Sequence, residues 1–250
     1  MEHDHDQWLT LRVWAEMFED AQRTRIGATN RLARGHVDAT LYEPYIEALK
    51  VSEETCAKGL RSQMRRTVPA AVREWQKNEP GIGEHLLARL LGQLGHPVIA
   101  TPFHWEGTGN DRTLVADKPF VRSVETLWQY AGHGGPSTRR KGMSVEETLA
   151  MGKPKAKMVL HLLCESCIKQ KGKGAKYRTI YDVAREEVAE KLHTVECVRC
   201  GPSGKPAQPG SPWSLGHQHA HALRMVGKAI LQDLWLLSGG AALRSEAIAA

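Results

Sequence analysis

A predominantly helical protein is predicted from three observations. Long segments carry apolar residues at helical spacing on a charged background, β-prone runs are short and confined to residues 97–121, and Pro and Gly cluster between the periodic runs. The expected architecture is a long N-terminal helical hairpin, a helix-hairpin-helix unit and a zinc-stapled helical C-terminal lobe.

From Gln7 to Arg34, Trp8, Leu11, Trp14, Phe18, Ala21 and Leu32 alternate with charged neighbours and no Pro or Gly intervenes before Gly27, which predicts one long helix. A second is expected from Tyr45 to Arg66, entered after Pro44, with Ile46, Leu49, Cys56, Leu60 and Met64 as its apolar positions. The two would pair as an antiparallel hairpin, or, their apolar stripes being narrow, extend and form a homodimer. Pro69 to Lys77 suits a short helix, Asn78 to Gly83 breaks it, and Glu84 to Leu94 is helical, with Leu86, Leu87, Leu90 and Leu91 on one side and Gly95 as its stop.

Residues 97–121 read as a loop or weak hairpin. Further helices are expected at Ser123–Tyr130, Val145–Met151, Lys155–Lys169 and Thr179–His193. Residues 201–212 hold four Pro and three Gly and read as a connector. A last helix spans Leu215 to Leu237, and the tail after Ser238 is expected to fray. Three consecutive regions follow: 1–67, 68–135 and 136–250.

With 250 residues, 41% hydrophobic and 25% charged, the chain has ordinary globular usage, which excludes a disordered tail or a fibrous repeat. No apolar stretch approaches the roughly 18 residues of a membrane span, and Met1 to Asp6 is acidic where a signal peptide is basic. A cytoplasmic protein without a membrane partner is expected. Charge is unevenly spread: between Lys118 and Arg178, nine lysines and four arginines stand against four glutamates, a net +9 within a total of +6. Such a field attracts a polyanion, nucleic acid above all, and the alternative is a solvated face.

Three motifs carry chemistry. Cys164 and Cys167 form one C-x-x-C and Cys197 and Cys200 another, with 29 residues between the inner pair. Four thiolates so spaced suit a structural zinc site, with two disulfides as the competing reading and His161 and His193 as nearby alternates, packing being the commoner role for both. Pro80-Gly81-Ile82-Gly83 between two helices suits a helix-hairpin-helix, in which Gly81 and Gly83 let backbone approach a DNA phosphate and Ile82 plugs the gap beneath. Basic residues to accompany it on a strand are Arg89, Arg139, Arg140, Lys141, Lys153 and Lys155. His217-Gln218-His219-Ala220-His221 places His217 and His221 on one helix face, more commonly a polar stripe than a metal pair. Among hydroxyls, Ser137 lies in a basic Gly/Ser loop, whereas Ser144 begins the capping box Ser144-Val145-Glu146-Glu147.

Glu79 to Gly83 with its leucine-rich helix, Ser123 to Gly132 (SVETLWQYAG), the basic loop and the helix at Lys155 to Leu163 together resemble the C-terminal transposase domain of Piv-like insertion-sequence transposases, the DEDD recombinases guided by a bridge RNA. Arg23 to Arg34 is similar to that family's coiled-coil region and His219 to Trp235 to its closing helix, so the resemblance spans about residues 10–237. It implies a DNA-binding protein of recombination or transposition. No segment here corresponds to the family's RuvC-like nuclease domain with its four acidic residues, so a separate RuvC-like partner is implied for any cutting. The family's nucleophilic serine is followed by Gly; Ser137 falls nearest that position and is followed by Thr138.

Three functional expectations result. The first is a non-cutting DNA-binding protein, with RNA as the alternative polyanion. The second is a catalytic serine recombinase half using Ser137, and the third is a zinc-stapled protein-interaction adaptor.

Overall fold

The computed structural model describes residues 2–35, 37–134, 142–144, 147–148, 151–172, 174–202 and 205–249. The protein is mainly helical, with α1 Glu2–Ala33, α2 Ala39–Thr67, α3 Ala70–Asn78, α4 Glu84–Leu94, α5 Val124–Tyr130, α6 Pro154–Ile168, α7 Lys176–Glu186, α8 Leu215–Leu237 and α9 Gly240–Ala249. The chain forms two units that cut across the three consecutive regions expected: residues 1–76, 84–123 and 237–250 in one, 77–83 and 124–236 in the other.

In the first unit, α1 and α2 form the expected hairpin. Trp8, Leu11, Ala15 and Phe18 recur at helical spacing and are buried, as are Leu60 and Met64 of α2 and Leu87, Leu90, Leu91 and Leu94 of α4. Two glycines set the spacing between helices: a Cβ on Gly59 would lie 2.4 Å from the Trp14 ring, and one on Gly92 2.4 Å from the Ala15 Cβ. Helix α2 starts six residues before the expected Tyr45, because Asp38 caps it by accepting hydrogen bonds from the Thr40 amide at 2.9 Å and hydroxyl at 2.7 Å. Pro44 then lies inside the helix. Gln22 and Arg25 of α1 both donate to Glu53 of α2.

Residues 97–121 resolve into two nested antiparallel ladders. β1 Ile99–Ala100 pairs with β4 Phe120–Val121, and inside them β2 Phe103–Glu106 pairs with β3 Thr113–Ala116. His96 Nδ1 accepts from the Val98 and Ile99 amides, and Arg122 donates to the His96 carbonyl at 2.8 Å, which fixes the entry to the ladders. The tail expected to fray is helix α9, which packs against β4.

In the second unit, α5, α6, α7 and α8 enclose Leu127, Val159, Leu160, Leu163, Tyr177, Val226, Ile230 and Leu231. The Tyr177 hydroxyl and Lys176 ammonium both donate to Asp233, at 2.5 and 2.6 Å. The Trp128 indole N–H donates to the Lys228 carbonyl at 3.0 Å, tying α5 to α8. Helix α7 stops at Glu186 rather than His193, because residues 191–193 pair with 211–213 instead. The expected helix Val145–Met151 lies mostly outside the described residues; its capping box is present, with Ser144 N–H donating to Glu147 and Glu147 N–H to the Ser144 hydroxyl. No helix among the described residues is long and apolar enough to cross a membrane.

Candidate functional site

The described residues of 187–214, a stretch expected to hold a helix end and a connector, fold into a small hairpin. His193 N–H donates to the Ser211 carbonyl at 2.9 Å, Gly210 N–H to the His193 carbonyl at 2.8 Å, and Trp213 N–H to the Lys191 carbonyl at 2.9 Å. Farther out, Cys197 and Ala207 exchange both backbone hydrogen bonds at 2.9 Å. The turn beyond holds Cys200, and Gly201 follows it because a Cβ there would lie 1.6 Å from the Lys205 carbonyl oxygen. The chain then enters α8, where the Ser214 hydroxyl accepts the His217 amide at 3.2 Å, a side-chain cap.

These elements bring His193, Cys197, Cys200 and His217 together, their ligand atoms all within 4.8 Å of one another. His217 Nδ1 is 3.2 Å from the Cys200 sulfur and 3.6 Å from that of Cys197. A tetrahedron with metal bonds of about 2.0–2.3 Å has edges of about 3.5 Å, so the four groups could hold one metal ion. The donor chemistry agrees. His193 Nε2 is buried and meets no hydrogen-bond partner among the described residues, a state that ligation would relieve. Burial first, then His193 and Arg199, hold the His217 imidazole below its ordinary pKa and so neutral, as a ligand must be. Burial works the other way on Cys200, yet hydrogen bonds from Ser214 and Cys197 and the Arg199 charge hold its thiol below the ordinary value.

The expected four-sulfur site is therefore corrected. Cys164 and Cys167 do not belong to the group: both lie on the buried face of α6, in the i, i+4, i+7 run Leu160, Cys164, Cys167. A C-x-x-C within a regular helix turns both thiols toward the same packed side, where they behave as small apolar groups. Burial pushes the Cys164 thiol far up and that of Cys167 up to about 12, the reverse of what a metal thiolate needs. The backbone of Cys167 supports Gly81 and the Cys164 sulfur faces Gly227 of α8. His193 and His217, read as packing and polar-stripe residues, are the other two members of the group that could hold a metal ion; the signal was the spacing H-x3-C-x2-C followed by a histidine in the first turn of the next helix. His221 stays outside the group, edge-on to Trp213 at 5.7 Å.

The glycine hairpin is also placed differently from expectation. Gly81, at φ +91, packs so closely on α6 that a Cβ would lie 2.5 Å from Cys167 Cα. Ile82 is buried as expected, and Gly83 is exposed with its N–H donating to the Gly81 carbonyl at 3.0 Å. The first turn of α4, where a phosphate would sit, carries the Glu84 carboxylate, which accepts from Arg65 Nε and Nη2 at 2.5 and 3.0 Å. Arg89 is buried, its guanidinium 5.1 Å from the Phe18 ring centroid, so it does not belong to a strand-binding surface. Lys155 is exposed on the first turn of α6, and Lys153 is the residue preceding that helix. Ser137, Arg139, Arg140 and Lys141 lie outside the described residues.

Beside the metal group is a cavity of about 200 Å³ that the sequence did not announce. Lys157 and His161 line it from α6, His219 and Arg224 from α8, Arg199 from the cysteine turn, and His133 from the chain after α5. His219 is oriented at both nitrogens: Nδ1 lies 2.7 Å from the Tyr181 hydroxyl and Nε2 3.2 Å from Glu165. Burial, helped by Arg224, Lys157 and Lys228 and opposed by the Ala131 carbonyl, pushes His133 down to about 4. No known protein family, curated protein or solved structure matches this chain.

Proposed function

We propose that this protein binds nucleic acid through its C-terminal unit, as a DNA-binding protein of recombination or transposition, and that the Cys2His2 group holds a structural zinc ion. The observation that carries this reading is the convergence of Lys157, Arg199 and Arg224 on one cavity beside the metal group, Lys157 coming from the strongly positive stretch between Lys118 and Arg178. Two thiolates and two imidazoles in a tetrahedral arrangement favour zinc over harder cations, and four protein ligands leave no open position for metal-bound water. Zinc would then hold the hairpin on the start of α8 and so keep Arg199 in place.

The reading is tested on purified protein by elemental analysis and by gel shift at rising salt. One zinc per chain is expected, with an affinity for duplex or junction DNA that falls linearly in log–log form as salt increases. Absence of zinc, or no binding of any nucleic acid at low salt, would reject it.

A further inference from the structure

We propose that the cavity between α6, α8 and the cysteine turn holds one phosphate group of a bound nucleic-acid strand, with Lys157, Arg199 and Arg224 as its contacts. This rests on the nucleic-acid reading above and specifies where on the protein the strand is gripped. Three elements each contribute one cation, and no carboxylate among the described residues lines the cavity. Glu165, the acid associated with its wall, is engaged by His219.

Size narrows the occupant. At about 200 Å³ the cavity falls below the roughly 300–1,000 Å³ of pockets that enclose a drug-sized molecule, so it suits a phosphate group rather than a whole nucleoside. Two guanidinium groups provide planar forks that match phosphate oxygens, and the lysine adds a point charge. The electrostatics agree with an anion as the occupant. Burial and then the charges of Arg224 and Arg199 hold Lys157 below its ordinary pKa, and burial and then Arg199 do the same to Arg224. A phosphate entering among them would relieve this repulsion.

Arg199 stands between Cys197 and Cys200, so the same turn that supplies two metal ligands supplies one wall of the cavity. Phosphate affinity is therefore expected to depend on the metal, without the metal touching the phosphate.

The test is calorimetric titration of the full-length, zinc-loaded protein with inorganic phosphate, with a short oligonucleotide carrying a 5′-phosphate, and with the same oligonucleotide carrying a 5′-hydroxyl. Binding of both oligonucleotides, weakened about tenfold or more by Lys157→Gln and by Arg224→Gln, supports the proposal. Tighter binding of the 5′-phosphate form assigns the cavity to a strand end, and equal binding to an internal phosphate. Lys157→Arg, which keeps the charge, retains most of the affinity and separates loss of contact from loss of fold. Unchanged oligonucleotide affinity in Lys157→Gln and Arg224→Gln proteins that melt normally overturns the cavity while leaving nucleic-acid binding in place. Binding of inorganic phosphate alone, with neither oligonucleotide, overturns the strand assignment. Failure of the wild-type protein to bind any nucleic acid overturns this inference together with the reading it rests on.

Discussion

The Trp213 indole and the His217 imidazole lie stacked face to face, their centroids 4.0 Å apart and their planes within 5°. Trp213 also lies 6.0 Å from the His193 ring, and the Lys191 ammonium sits 4.8 Å from the indole centroid on the hairpin strand. The indole is thus packed against both imidazoles of the metal group and holds the orientation of each. Groups that orient ligands typically contribute about 10- to 100-fold to metal affinity. Trp213→Ala is accordingly expected to weaken zinc binding by at least about tenfold in a chelator competition, and Trp213→Phe to recover most of the loss.

The two C-x-x-C pairs are expected to respond differently to mutation. Cys197→Ser, Cys200→Ser, His193→Ala or His217→Ala should each remove the metal and destabilise the second unit, since metal binding there is also folding free energy. Cys164→Ala and Cys167→Ala should leave one zinc per chain and cost about 1–2 kcal/mol through lost packing. Elemental analysis alongside thermal melting distinguishes the sets. Loss of zinc in the α6 variants would restore the four-sulfur site.

Acid sensitivity should trace in part to His133. Burial depresses its folded-state pKa to about 4 from an ordinary 6.5, so above pH 6.5 the ring is neutral whether the chain is folded or not. As pH falls from 6.5 toward 4, the unfolded chain takes up a proton that the folded chain refuses, and stability drops. The accumulated loss is about 3 kcal/mol, reached near pH 4, below which both forms are protonated. Denaturant unfolding of the wild type and of His133→Gln between pH 4 and 7 checks this. The variant should show the shallower profile, and release of the metal in acid, common to both, cancels from the comparison.

Substitutions at the glycine hairpin separate packing from binding. Gly81→Ala forces a side chain onto the Cys167 backbone at a positive φ and should destabilise the protein by about 1–3 kcal/mol. Gly83→Ala meets nothing within 4 Å and should change stability by less than about 0.5 kcal/mol. With Glu84 occupying the start of α4, Gly83→Ala is also expected to leave DNA affinity unchanged in a gel shift. A marked loss of affinity there would return the grip to the hairpin amides.

Gly92→Ala supplies the corresponding test in the first unit. The added methyl would collide with Ala15 Cβ and approach the Leu11 carbonyl oxygen to 3.1 Å, against a helix backbone that cannot yield cheaply. A destabilisation of about 1–3 kcal/mol with unchanged zinc content is expected from melting and elemental analysis.

Local order was legible wherever one face and one pair of end signals decided it. Helices α4 and α8 run between the residues their leucine spacing and flanking breakers indicate, and the α1–α2 pairing follows from two amphipathic stripes joined by a short turn. The metal group was legible only in half. Cys197 and Cys200 announce themselves by spacing, but His193 and His217 join them because a hairpin pairs residue 193 with residues 210 and 211 and delivers the chain to the first turn of α8. Cys164 and Cys167 have the same spacing and the opposite fate: a two-residue gap is compatible with a tight turn or with one face of a helix, and packing around α6 chose the helix. The cationic cavity was illegible, since Lys157, Arg199 and Arg224 come from three elements far apart in the chain. Periodicity and capping act over a few residues and are written into the order of the amino acids; the company a charged or ligating side chain keeps is set by long-range packing and exists only once the elements have met.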